Sequence, residues 1–217
     1  MKVIFSDLDG TLLNSRESAV LTTQDTFKHF DFPIPTREQI VDKMGIPIEK
    51  TFPEFACGAL HKEDLPDVLA YFRKQYVYNS MLHSVLFDGV QEFLDACTSL
   101  KFPVVVVTSK KTESAERDLA RLGILDSIFH VIGSDKVSNY KPEPDSIYRG
   151  REALKEYTID AEVMIGDAEV DILMGKAAGI KTCAVTWGSH SEERLMSIAP
   201  DFLARKVDDL LLMLENL

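Results

Sequence analysis

The stretch Pro103-Val104-Val105-Val106-Val107-Thr108-Ser109 narrows the fold more than any other part of the chain. A strand with one face in water alternates apolar and polar residues, whereas an unbroken β-branched run is covered on both faces. Val3-Ile4-Phe5, Ile128-Phe129-His130-Val131-Ile132, Val163-Met164-Ile165 and Thr182-Cys183-Ala184-Val185 have the same form. Each run stops at polar residues: Asp7-Leu8-Asp9-Gly10-Thr11, Gly133-Ser134-Asp135, Gly166-Asp167 and Thr186. Helical spacing lies between the runs. Val90, Phe93, Leu94, Cys97 and Leu100 recur at i, i+3, i+4 and i+7, and Val207, Leu210, Leu211, Leu214 and Leu217 repeat the pattern at the C-terminus. Alternating strand and helix predicts an α/β protein with a Rossmann-like, doubly wound parallel sheet and right-handed crossovers. In such sheets ligands bind beyond the carboxyl ends of the strands. Every acid and hydroxyl named above falls at one of those ends.

One region breaks the alternation. From Asn14 to Leu82 there is no strand pattern, only helical spacing, as in Leu65, Val68, Leu69, Phe72 and Tyr76. Pro33, Pro35, Gly45-Ile46-Pro47 and Pro53 are expected to cut it into short helices. A length of 217 residues suits one domain with an insertion. The predicted division is a core of residues 1–13 and 83–217, with a helical cap of residues 14–82 over the carboxyl edge of the sheet. The insertion holds nine of the nineteen aromatic residues, which are expected to build its own small core rather than an aromatic substrate pocket.

The net charge of −11 argues against a nucleic-acid or anionic-membrane partner, because an acidic surface repels phosphate backbones. An anionic substrate would need local positive charge against that field. Cys57, Cys97 and Cys183 are odd in number, far apart and without a CxxC spacing, so reduced thiols in a cytoplasmic protein are expected. No signal-peptide pattern opens the sequence, and no apolar run approaches the roughly 20 residues of a membrane helix.

The strand-end residues suggest a chemistry. Asp7 and Asp9 stand two residues apart, followed by Gly10, which permits a tight turn and close approach of a ligand. Asp167 and Asp171 form a second pair, expected to share one face of a helix. Converging acids repel one another unless a cation lies between them, and oxygen ligands of this type suit Mg²⁺. The Thr108-Ser109 hydroxyls at a strand-to-helix turn can hold a phosphate, with Lys110 and Lys111 following. Lys141, before Pro142-Glu143-Pro144, can neutralise phosphate charge. Acids, Mg²⁺, hydroxyls and a lysine together fit phosphoryl transfer, in which positioning and electrostatics do most of the work.

These residues resemble the haloacid dehalogenase superfamily over nearly the whole chain. Asp7-Leu8-Asp9-Gly10-Thr11-Leu12 looks like its DxDGT motif, Val107-Thr108-Ser109 its second motif, Lys141-Pro142-Glu143-Pro144 its third and Gly166-Asp167 through Asp171 its fourth. The insertion is similar to the C1 cap of the superfamily. Met44-Gly45-Ile46-Pro47 and Val185-Thr186-Trp187-Gly188 look like the phosphoglycolate phosphatase-like branch. The resemblance implies that Asp7 is a nucleophile forming an aspartyl-phosphate, and that Asp9 is the acid for the leaving group and then the base for water. It implies Mg²⁺ held by Asp7, the Asp9 backbone carbonyl and Asp167, with Asp171 orienting the site. Thr108, with Ser109, and Lys141 are implied to bind the phosphoryl group. Asn14 stands where many relatives have Asp, and Ala168 where many have Ser or Thr.

The expected activity is hydrolysis of a small phosphorylated metabolite, a phosphomonoester such as 2-phosphoglycolate. The presence of Asp9 favours phosphate esters over haloacids, because an alkoxide needs a proton and a halide does not. A phosphomutase of the β-phosphoglucomutase type, a pyrophosphatase or nucleotidase, a phosphonate hydrolase using Lys43 or Lys50, and a non-catalytic binding domain are the alternatives. The five histidines are read as structural or surface groups, with His83 near the cap hinge, and Trp187 as packing a loop.

Overall fold

The computed structural model describes residues 1–217. In chain order the elements are β1 (Lys2–Ser6), β2 (Leu13–Asn14), α1 (Arg16–His29), α2 (Arg37–Asp42), α3 (Ile48–Phe55), α4 (Leu65–His83), β3 (Val85–Leu86), α5 (Val90–Leu100), β4 (Val104–Val107), α6 (Thr112–Arg121), β5 (His130–Ile132), α7 (Asp145–Ala153), β6 (Ala161–Gly166), α8 (Glu169–Ala177), β7 (Lys181–Val185), α9 (Glu192–Ser197), β8 (Phe202–Ala204) and α10 (Asp208–Asn216). Six strands form one sheet in the order β5-β4-β1-β6-β7-β8, with every neighbouring pair parallel.

The apolar runs of β1, β4, β6 and β7 are largely buried on both faces, whereas the run Ile128–Ile132, expected to be covered likewise, forms the edge strand β5 only from His130 and leaves Phe129 and His130 exposed. Ile4, Val104, Val106, Val163 and Ile165 face one way, against Phe93 and Leu94 of α5, Leu119 of α6 and Leu214 of α10. Their sequence neighbours Val3, Phe5, Val105, Val107 and Met164 face the other way, against Ile147, Leu154 and Met174. Successive strand side chains point to opposite faces, so a run of four valines feeds two cores at once. The chain winds outward from β1 through β4 to β5, then crosses to β6 and winds the other way. The reversal puts a crevice at the carboxyl ends of β1, β4 and β6.

Helices α1 to α4 fill the segment expected to form the cap, between β2 and β3. Val68, Leu69, Phe72 and Tyr76 of α4 pack on Phe27, Phe52 and Ala56. The rings meet edge to face: Phe27 and Phe52 lie 5.2 Å apart at 83°, and Phe52 and Phe72 5.1 Å apart at 88°. Fully burying each such ring contributes on the order of 1.5–3 kcal/mol. Pro53 lies inside α3 rather than at its end. The helix persists because it forfeits only one ladder bond there.

Two further features differ from the sequence expectation. β2 and β3 pair antiparallel, Leu13 with Leu86 and Asn14 with Val85, as a two-stranded ribbon at the junction of cap and core. Each strand is two residues long, too short for any periodicity. β8 adds a sixth strand at the sheet edge, three residues long, with only Ala204 buried.

Candidate active site

The loop after β1 carries Asp7 into the crevice. Asp7 is 3% exposed. Its Oδ1 accepts a bond of 2.5 Å from the Lys141 ammonium, which also donates to Asp171 Oδ1 at 2.6 Å. The second Asp7 oxygen has no hydrogen-bond partner in the protein. Asp171 Oδ2 accepts from the Ala168 N–H at 3.0 Å, so Asp171 caps the first turn of α8 from within it. Asp167 does not share a helical face with Asp171, contrary to the expectation from spacing. It precedes α8, in the turn after β6, and the turn folds back to bring the two acids together.

Asp167 is held from two distant segments. Thr11 Oγ1 donates to its Oδ1 at 3.0 Å, and the Ser189 N–H donates to its Oδ2 at 2.6 Å. Gly10, at φ +88°, closes over it: a Cβ there would lie 2.2 Å from Asp167 Oδ2. A Cβ at Gly188 would lie equally close to Asp167 Cβ. Both glycines are therefore required by close approach.

Asp7, Asp167 and Asp171 bring carboxylate oxygens within 4.8 Å of one another, all buried. Burial, with the Asp171 and Asp167 charges, pushes the Asp7 carboxyl well above the usual range despite Lys141. Burial and then Asp171 push Asp167 up to about 6. Burial alone would lower the Lys141 ammonium, but Asp171 and Asp7 outweigh it and raise it. With all three acids ionised, one ammonium leaves two negative charges uncompensated. The donor set is all oxygen, so a hard divalent cation fits both the charge and the chemistry.

Asp9 is apart from this trio. Its Oδ1 takes the Ser15 hydroxyl and the Lys110 ammonium, the latter at 2.7 Å. Thr108, 4% exposed, directly follows β4, and its Oγ1 accepts from the Lys110 N–H at 3.2 Å. The Ser109 hydroxyl donates to the carbonyl of Gly45, in the cap, at 2.6 Å. The expected phosphate-binding Ser109 thus tethers core to cap in this structure. Lys50 lies over the Tyr140 ring at 5.1 Å, and Arg194 reaches Asp42 at 2.6 Å, adding two further cap-to-core ties.

A cavity of about 160 Å³ lies between the strand ends and the cap. Asp7, Asp9, Thr108, Ser109 and Lys110 line its floor, and Phe52, Phe72 and Tyr76 its roof. The cap aromatics therefore form the cap core and also present part of it to the cavity. The walls hold five Lys or Arg side chains, Lys43, Arg73, Lys110, Lys111 and Arg117, against three carboxylates, Asp7, Asp9 and Glu49. A cavity with a net cationic lining sits inside a chain of charge −11.

His190, Ser189 and Gly188 were not singled out as site residues by sequence reasoning. The His190 N–H donates to the Asp167 carbonyl at 3.3 Å, and its Nδ1 accepts from the Glu169 N–H at 3.0 Å. His190 is buried, while His29, His61, His83 and His130 are exposed. Trp187 Nε1 donates to the Thr11 carbonyl at 3.0 Å, which packs its loop against the DxDGT turn.

The family model for haloacid dehalogenase-like hydrolases matches residues 3–185. The chain is 36% identical over 211 residues to a protein named pyrophosphatase PpaX from Listeria monocytogenes serotype 4b, covering 94% of this chain and 92% of that one. It is similar to the solved structure of a haloacid dehalogenase-like family hydrolase from Streptococcus pneumoniae, at 27% identity and a TM-score of 0.83, covering 98% and 97% of the two chains. The fold is also that of a structure described as a predicted phosphoglycolate phosphatase from Haemophilus somnus, with a TM-score of 0.85 at 22% identity over 99% and 98% of the two chains.

Proposed function

Because the chain belongs to the haloacid dehalogenase-like hydrolases, we propose that it is a Mg²⁺-dependent phosphatase that acts on a small phosphorylated metabolite through an aspartyl-phosphate. What supports this is the cavity: Asp7 at its floor, backed by buried Lys141 and two further acids, beneath net cationic walls. At about 160 Å³ it is smaller than the roughly 300–1,000 Å³ of sites for drug-sized ligands. A phosphomonoester of phosphoglycolate size, with a second negative charge on its leaving group, suits both size and charge. Residues 14–82 act as the cap over the core of residues 1–13 and 83–217. The three unpaired cysteines support a cytoplasmic location.

Asp7 and Asp167, with the Asp9 backbone carbonyl, would hold Mg²⁺, which supplies charge neutralisation at the phosphoryl oxygens. The free oxygen of Asp7 attacks phosphorus and the bond to the leaving oxygen breaks. Asp9 gives the leaving oxygen a proton, then takes one from the water that hydrolyses the aspartyl-phosphate. Lys141 and Thr108 hold the phosphoryl oxygens. Asp171 fixes Lys141 by the 2.6 Å bond.

A second reading, pyrophosphate as substrate, is favoured by the 36% identical relative named a pyrophosphatase and by the same cationic walls. A phosphate-release screen over small phosphoesters and pyrophosphate, with and without Mg²⁺, separates the two. Asp7→Asn is expected to abolish release. Retained activity in that variant would sink the covalent mechanism, and indifference to chelator would sink the metal assignment.

A further inference from the structure

Asp118 lies in the middle of α6, on the buried face it shares with Ala115 and Leu119. Its side chain is 1% exposed. A carboxylate on such a face is costly unless it is paired and hydrogen-bonded. Its nearest cation is Lys110, whose Nζ lies 2.8 Å from Asp118 Oδ2 and 2.7 Å from Asp9 Oδ1, and Arg117 approaches Asp118 Oδ1 at 3.5 Å. The same ammonium sits 4.9 Å from the centre of the Tyr76 ring, in the cap. Ser80, also in the cap, approaches Asp118 Oδ1 at 3.5 Å.

The consequence falls on Asp9. Oδ1 is occupied by Ser15 and Lys110, while Oδ2 has no hydrogen-bond partner in the protein. We propose that Asp118 is a positioning residue for proton transfer at Asp9, holding Lys110 so that it fixes Oδ1 and leaves Oδ2 to carry the proton. This rests on the proposed role of Asp9 as acid for the leaving group. In that step the O–H bond of Asp9 breaks, the electron pair of the P–O bond passes to the leaving oxygen, and a new O–H bond forms there. Asp9 becomes a carboxylate 2.7 Å from an ammonium already in place, so no charge has to be brought up as the proton leaves. Asp118 shares the Lys110 charge, which keeps the ammonium from collapsing onto the phosphoryl group.

The test compares kcat/KM, which reports steps only up to departure of the leaving group. Two substrates are used: 2-phosphoglycolate, whose alkoxide needs a proton, and p-nitrophenyl phosphate, whose phenolate does not. Asp118→Asn is expected to lower kcat/KM on 2-phosphoglycolate by about tenfold or more, within the range of general acid catalysis, and to change p-nitrophenyl phosphate turnover by less than about threefold on the same scale. Asp118→Glu should restore part of the loss. If Asp118→Asn unfolds, Asp118→Glu is read alone: it keeps the charge but displaces it relative to Lys110, and should show the same selective loss at smaller amplitude. Asp9→Asn is measured alongside. An equal loss on both substrates in Asp9→Asn defeats the underlying role of Asp9. A selective loss in Asp9→Asn with an equal or absent loss in the Asp118 variants overturns the proposal for Asp118 itself.

Discussion

Replacing Lys141 by Met removes the only cation within bonding reach of Asp7 and Asp171. The lysine side chain is 3% exposed and the two carboxylates 4% and 1%, so water cannot take its place cheaply. Breaking a buried pair by deleting one partner costs about 3–5 kcal/mol, because the remaining charge stays buried. The entropy of unfolding for a chain of this length is about 0.46 kcal/mol/K, from roughly 2.1 cal/mol/K per residue. The expected drop in Tm in chelator at pH 8 is therefore about 7–11 °C. The pH dependence has a definite sign. Asp167 is raised from the ordinary 3.8 to about 6, and Asp7 is raised as well. A carboxyl with a raised folded pKa takes up its proton more readily when folded. It therefore adds stability as pH falls through about 6 and takes it away as pH rises from about 4. The deficit of Lys141→Met should shrink between pH 8 and pH 5. Thermal melts in chelator at both pH values check this. A deficit below about 1 kcal/mol, or one that does not change with pH, would refute the view of Lys141 as compensation for buried negative charge.

Three further outcomes are expected. If Asp7 and Asp167 hold the metal as proposed, Mg²⁺ affinity measured by titration calorimetry should weaken by about tenfold or more per pH unit below about 6, because both raised carboxyls must lose their protons to bind it. Gly10→Ala should cost more than about 2 kcal/mol in urea unfolding, since it adds a Cβ at φ +88° against Asp167 Oδ2. A cost under about 0.5 kcal/mol would contradict the close packing there. Under native conditions one thiol per chain should react quickly with an aromatic disulfide reagent. Cys57 is exposed, whereas Cys97 and Cys183 are buried with their thiols pushed up to about 12 by burial.

The sheet was readable because its strands announce themselves. The central runs of β1, β4 and β6 are covered on both faces, and each is followed directly by a residue that reaches the crevice: Asp7, Thr108 and Asp167. What sequence could not reveal was held by distance or by brevity. Ser189 N–H supports Asp167 from a segment whose own sequence carries no metal-site or phosphate-site signature. The β2–β3 ribbon and β8 have two or three residues per strand, below any detectable period. Asp167 and Asp171 suggested one helical face, but α8 starts after Asp167, so a turn and not helix geometry unites them. Lys110 read as a phosphate-side cation, yet it is shared by Asp9 and Asp118. That pairing bridges the start of α6 and is visible only once the helix is folded.

The central claim is that Asp7 carries the phosphoryl group during turnover. Acid quenching within the first turnover, followed by intact-protein mass spectrometry and peptide mapping, measures it directly. One phosphoryl group per chain, located on the peptide containing Asp7 and absent from Asp7→Asn, is the predicted result. Turnover with no protein-bound phosphoryl group at any quench time, together with full activity in Asp7→Asn, would contradict the account.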